Sequence, residues 1–239
     1  MTFFAPMPLR RVEEHAVRPM PRDEWPATVP AVRQLLDDGI ELGPVTVLVG
    51  ENGAGKSTIV EAIAMAFGLS GEGGSSWARF QTKATESALF DSLRLVRGAG
   101  GAKRGFFLRA ETMHGLYTYL DGIHGDAGLH SLSHGESFLE LVNTRFTDRG
   151  LWLLDEPEAA LSASSTMSLL MSLNRLIADE GSQVIMSTHS PMLAAMDGAT
   201  ILELGEWGIR ESAWEDLELV RTWRSFLDSP ERFLRHLRD

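Results

Sequence analysis

Residues Gly50 to Thr58 read Gly-Glu-Asn-Gly-Ala-Gly-Lys-Ser-Thr, an order of residue types suited to holding a phosphate chain. Glycines at Gly50, Gly53 and Gly55 let the backbone wrap close to an anion, so that the N–H groups of Glu51, Asn52, Ala54 and the helix start point at a β-phosphate. Lys56 would bring a point charge to the β and γ oxygens, Ser57 a hydroxyl to Mg²⁺, and Thr58 completes the segment. A G-x-x-x-x-G-K-[ST] match could be a chance Gly-rich turn. It gains meaning between an apolar strand and a helix, and here "VTVLVG" precedes it and a helical stretch from about Lys56 to Phe67 follows.

Three further segments carry residues able to work on the same ligand. In "LWLLDEP", a buried apolar run ends at Asp155, which can hold Mg²⁺ through water, and Glu156 can orient or deprotonate a water against a γ-phosphate. In isolation they would be two acidic residues at a strand end. In "QVIMSTHSP" a similar run ends at His189; such a histidine is usually structural, but at the edge that carries Gly50 and Asp155 it could reach the γ-phosphate. In "SLSHGESFLEL", Ser133 followed by Glu136 makes a capping box. Ser133, Gly135 and the N–H groups of that helix start are also natural anion ligands.

These groups need elements to position them. The first 44 residues mix Pro-rich stretches with a strand near Leu9 to Glu13 and a helix near Thr28 to Asp37, closed by Gly39. "GLSGEGGSSW" reads as a flexible loop. Strands at Leu89 to Gly98 and Gly105 to Glu111, joined by the turn-rich "GAGGAK", predict an antiparallel hairpin. A helical segment near Thr112 to Leu120 leads to the helix opening at Ser133. Then come "LWLLD", a helix over 163 to 179, "QVIMS", a helix near Pro191 to Met196, the hairpin "TILEL" and "GIRES", and helical pieces near 214 to 227 and 230 to 238. Apolar strands alternating with helices predict an α/β fold with a mostly parallel sheet flanked by helices. One domain is expected over residues 1–239, with a core lobe of about 1–78 and 148–239 and an inserted hairpin and helical lobe of about 79–147.

Composition narrows the function classes. No cysteine is present, which excludes disulfides and thiolate metal sites and is compatible with a reducing cytoplasm. No apolar run of about eighteen residues predicts a membrane span, and the start does not read as a secretion signal. The net charge of −11 argues against general coating of nucleic acid. The charge is uneven, however. Arg79, Lys83, Arg94, Arg97, Lys103, Arg104 and Arg109 against Glu86 and Asp91 give a local +5, against −16 for the remainder. That segment reads either as solvated strand faces or as a docking surface for phosphates or an acidic partner.

The order of phosphate loop, Leu132-Ser133-His134-Gly135-Glu136, Asp155-Glu156 and His189 resembles the ATP-binding-cassette (ABC) ATPases, over about Val45 to Thr200. The resemblance implies a P-loop fold with an ABC-type core and a small helical lobe. It also implies ATP and Mg²⁺ as ligands, with Lys56 and Ser57 in the Walker A loop, Asp155 holding the metal from Walker B, Glu156 as general base and His189 as switch histidine. Two copies would sandwich ATP, Ser133 and Gly135 of one facing the γ-phosphate held by the other. Gln81 is the candidate Mg²⁺-sensing glutamine. Trp25 is the candidate adenine-stacking residue, with a core tryptophan as the competing reading. His134 departs from the family's signature glycine, and Ser162 stands where an aspartate is usual.

"DEPEAALS" followed by "STHSP" looks like the small bacterial predicted ATPases related to RecF and the structural-maintenance-of-chromosomes (SMC) proteins. The leading expectation is therefore a Mg²⁺-dependent, cytoplasmic ATPase that dimerises around ATP and switches an unidentified protein partner. Other expectations are the ATP-binding subunit of an ABC transporter, and a nucleic-acid-associated ATPase using the basic segment. A Ser-His hydrolase is weakest, because no G-x-S-x-G elbow occurs.

Overall fold

Short apolar runs bounded by turn residues become the central strands, and the longer stretches between them become helices that cover both faces. A computed structural model describes residues 6–71, 73–75, 87–112, 134–146, 149–178 and 181–235. Along the chain run β1 (Leu9–Glu14), α1 (Pro30–Asp38), β2 (Ile40–Glu41), β3 (Val45–Gly50), α2 (Lys56–Phe67), β4 (Gly74–Ser75), β5 (Leu93–Arg97) and β6 (Gly105–Arg109). After these come α3 (His134–Arg145), β7 (Leu151–Asp155), α4 (Ala163–Ala178), β8 (Gln183–Ser187), α5 (Pro191–Ala194), β9 (Thr200–Gly205), β10 (Gly208–Glu211), α6 (Glu218–Asp228) and α7 (Pro230–Leu234). Among the described residues no helix is long and apolar enough to cross a membrane.

The main sheet has the order β10-β9-β3-β8-β7-β6-β4. The run from β9 to β6 is parallel, and β10 and β4 add antiparallel edges. The two-residue alternation of a strand divides the core into two layers. Val45, Val47, Val49, Trp152, Leu154, Val184 and Met186 face one side with Phe138, Leu141, Leu169 and Leu173 of α3 and α4. Leu48, Leu151, Leu153 and Ile185 face the other with Ile59 and Ile63 of α2 and Leu35 of α1. Parallel strands covered on both faces read as unbroken apolar runs. All five residues of β7 and of β8 are accordingly buried.

The hairpin expected between Leu89–Gly98 and Gly105–Glu111 is corrected. Both strands exist, the first only from Leu93 because Ala88–Ser92 form a 3-10 helix, but they do not pair with each other. β5 lies antiparallel to β1 in a second sheet of order β2-β1-β5. β6 instead runs parallel to β7, with Arg109 opposite Asp155. The glycines between them serve packing as much as turning: a Cβ at Gly98 or at Gly101 would collide with the backbone carbonyl of Met7. "GLSGEGGSSW" also contributes the short strand β4 beside β6, where a loop alone was expected.

Gln183 fastens the small sheet to the large one. It is fully buried at the start of β8. Its Oε1 accepts from the Leu9 N–H at 2.9 Å, while its Nε2 donates to the carbonyls of Leu9 at 2.8 Å and Gly43 at 2.9 Å. A buried amide with its groups paired in this way carries no desolvation penalty left over.

Candidate functional site

Because β3, β8 and β7 are adjacent and parallel, their carboxyl ends share one edge. Leu48 and Asp155 both register with Ser187. Gly50 therefore leaves the sheet on the edge that also carries Asp155 and the Ser187–His189 segment, the usual place for a ligand in an open parallel sheet.

The loop from Gly50 to Gly55 depends on its glycines at two points. A side chain at Gly50 would strike the Leu204 carbonyl on β9, and Gly55 opens α2 with φ +96°, a left-handed value costly to residues with a Cβ. Lys56 follows as the first residue of α2 and is 3% exposed. Its ammonium donates to the carbonyls of Gly50 at 2.9 Å and Glu51 at 3.0 Å. That leaves one of its three donors for an incoming oxygen. Burial lowers the Lys56 pKa below the usual lysine range, opposed by the charges of Glu156, Asp155, Glu158 and Glu51. Ser57 and Thr58 continue the first turn, partly exposed.

Asp155 is 4% exposed. Its Oδ1 accepts from the Ser187 hydroxyl at 2.5 Å and its Oδ2 lies 3.3 Å from Arg109 Nε. The next residue, Glu156, has φ 48° and ψ 51°, the sole non-glycine with positive φ among the described residues. Such backbone costs of order 1–3 kcal/mol and persists where surroundings impose it. Here the Glu156 N–H is held by the Ser187 carbonyl at 3.1 Å. The turn delivers Glu156 Oε1 to 3.4 Å from His189 Nε2, a buried nitrogen with no hydrogen-bond partner.

Glu158, which drew no attention in the sequence beyond its place in "DEPEAALS", accepts from the His189 N–H through Oε1, while its Oε2 is buried and unpaired. It ties the turn after β7 to the loop after β8. Ser162 accepts from the Ser165 N–H at 3.2 Å and so caps α4, a task serine and aspartate share.

Not every expected residue joins this cluster. Gln81 and Ser133 lie outside the described residues. Gly135 sits in the first turn of α3, and the side-chain surroundings of that turn's first two residues are also outside the description. Trp25 is 62% exposed and does not border the cavity of about 580 Å³ that adjoins Gly50–Ala54. That cavity is walled by Val29, Pro30, His189, Trp207 and Trp223. The basic segment is largely engaged within the chain: Arg94 pairs with Glu13, Arg97 stacks over Phe67, and Arg109 meets Glu61 and Asp155. Arg79 and Lys83 lie outside the described residues.

The cluster fits a nucleoside triphosphate with Mg²⁺. It offers a glycine cradle, a buried lysine with a spare donor, an unpaired histidine nitrogen, and a hydroxyl and carboxylate at Ser57 and Asp155. Mg²⁺ in such sites takes one or two carboxylates and completes its shell from phosphate and water.

Comparison with known proteins agrees in kind. The model of a family described as "AAA domain" matches residues 32–95. The ribose import ATP-binding protein RbsA of Bacillus cereus is 26% identical over 228 residues, covering 81% of this chain and 45% of that protein. ABC transporter G family member 17 of Arabidopsis thaliana is 30% identical over 195 residues, covering 69% of this chain and 29% of that one. The chain thus spans less than half the length of these curated relatives. An SMC head domain from Thermotoga maritima aligns with TM-score 0.46 and 13% identity over 87% of this chain and all of that one. The order of strand, phosphate loop and helix, joined to this match and these relatives, makes the chain a P-loop ATPase domain of the ABC/AAA type.

Proposed function

We propose that this chain binds Mg-ATP at the Gly50–Thr58 loop, hydrolyses it, and does so as the ATP-binding unit of a transporter-type assembly in which two copies close around the nucleotide. One observation carries the chemistry: the buried Lys56 and Asp155 and the partly exposed Glu156 and His189 converge at the carboxyl edge of three adjacent parallel strands. The names of the relatives carry the transporter role.

Each group has a task in this reading. Backbone N–H groups of residues 50–55 and the Lys56 ammonium bind the phosphates. Ser57 and Asp155 would hold Mg²⁺, which when bound neutralises charge on the β and γ oxygens. Glu156 accepts a proton from the attacking water, and His189 Nε2, 3.4 Å from Glu156, donates toward the γ-phosphate. Ser133 and Gly135 of a second copy would complete the site.

A second reading, a stand-alone ATP-driven switch on another protein, is favoured by the short span of 77 residues from Lys56 to Ser133. One experiment tests the shared core. Glu156→Gln should bind ATP and stall, and with Mg-ATP should run at twice the monomer mass unless Ser133 is replaced by a bulky residue. Undiminished turnover of Glu156→Gln would remove the hydrolytic assignment, and a monomer saturated with ATP would remove the sandwich. Recovery of the chain with a membrane protein then separates the transporter reading from the switch.

A further inference from the structure

Arg109 is the last residue of β6 and stands opposite Asp155 on the neighbouring strand. Its guanidinium bridges two carboxylates, with Nη1 at 2.6 Å from Glu61 Oε2 and Nε at 3.3 Å from Asp155 Oδ2. A looser contact reaches the exposed Glu111 at 3.4 Å. Glu61 is one helical turn beyond Ser57 on α2, so the arginine spans the gap between the two elements that carry Ser57 and Asp155. Its side chain is 22% exposed and those of Glu61 and Asp155 are 13% and 5% exposed, so solvent screens the three charges only in part.

We propose that Arg109 is a positioning residue that serves as an internal counter-cation for Asp155. It keeps this carboxylate from taking a divalent ion until the nucleotide brings phosphate oxygens of its own. The inference rests on the assignment of Asp155 as the metal carboxylate. Without the guanidinium, Glu61 and Asp155 would lose the positive charge that bridges them, and carboxylates so released attract a divalent ion more strongly. With it, a metal arriving alone meets one carboxylate already neutralised and a positive charge close by. A metal arriving with a triphosphate brings enough negative charge to overcome that repulsion. The device orders the loading of the site, ATP and metal together rather than metal first.

The test is Mn²⁺ binding to the full chain, followed by electron paramagnetic resonance, without nucleotide and with ATP. Wild type should bind Mn²⁺ with ATP and only weakly without it. Arg109→Gln should bind Mn²⁺ without nucleotide about tenfold or more tightly than wild type, a size set by one unit charge near a divalent ion in a partly screened site. Arg109→Lys, which keeps the charge, should stay near wild type. Glu61→Gln leaves the guanidinium less neutralised and should weaken Mn²⁺ binding with ATP, which gives a reading even if Arg109→Gln fails to fold. Nucleotide-free Mn²⁺ binding that is the same in Arg109→Gln and wild type, or a Glu61→Gln variant that binds no more weakly, overturns the proposal. Asp155→Asn separates the underlying assignment: if ATP-dependent Mn²⁺ binding survives that change, Asp155 is not the metal carboxylate and both fall.

Discussion

The two ends of β8, a strand of five residues, follow different rules. At the amino end, Gln183 has its amide oxygen and nitrogen matched to backbone partners on β1 and at Gly43. At the carboxyl end, Ser187 and His189 sit among a buried lysine, a left-handed glutamate and the unpaired atoms His189 Nε2 and Glu158 Oε2. Gln183, with its groups satisfied, holds two sheets together, while the unpaired atoms near the buried lysine are placed to meet a ligand; lack of a partner alone does not mark a site, since Ser182 Oγ beside Gln183 is also buried and unpaired.

Substitutions can break that contrast. The largest effect is expected from Lys56→Ala, which should weaken ATP binding about tenfold to a hundredfold, the worth of a charge-assisted contact to phosphate, while circular dichroism finds the fold intact. Gln183→Ala should do the reverse. It strands the Leu9 N–H and two carbonyls and should cost about 2–4 kcal/mol in denaturant unfolding, with ATP affinity kept wherever the protein is folded.

Glu203 sharpens the comparison, since it lies on β9 close to the phosphate loop yet behaves like Gln183. Its carboxylate is 3% exposed, receives Arg210 at 2.6 and 2.8 Å, and accepts from the Glu218 N–H at 2.9 Å, capping α6. Burial pushes its pKa up, but these donors outweigh burial and hold it below the usual value of 4.5. A carboxyl lowered in the fold contributes stability that is full above its unfolded pKa and lost as pH falls through the folded one. Glu203→Gln should therefore be less stable than wild type at neutral pH, with the gap closing below about pH 4 in acid unfolding curves. The smallest effect has the opposite sign. Glu156→Gly relieves the left-handed backbone and should gain about 1 kcal/mol in thermal melts, while ATP turnover is lost.

Much of this was legible in the chain. The helix from Lys56 to Phe67 and the strands ending at Gly50 and Asp155 follow from apolar runs with glycine or acidic ends, and the apolar run before His189 marks β8, which stops two residues earlier at Ser187; these signals are local and strong. Pairing was less legible. "GAGGAK" carries every mark of a hairpin turn, but Gly98 and Gly101 are small because the chain at Met7 passes against them, and a partner some ninety residues away leaves no local trace. Arg109 was visible only as one member of a basic segment, because its register with Asp155 is a property of the sheet. Glu158 was one more acidic residue until the loop after β8 folded onto it.

The strand that ends in the phosphate loop has a further consequence, one of timing. β3 is complete at Gly50, yet its neighbours in the sheet are β8 and β9, which begin at Gln183 and Thr200. As the chain leaves the ribosome, Lys56 and its loop must wait for more than a hundred further residues before the edge beside them exists, and such distant pairings close slowly. Nucleotide can therefore recognise the loop only after β8 and β9 have been made, when ATP traps the finished sheet and favours it over its unfinished forms.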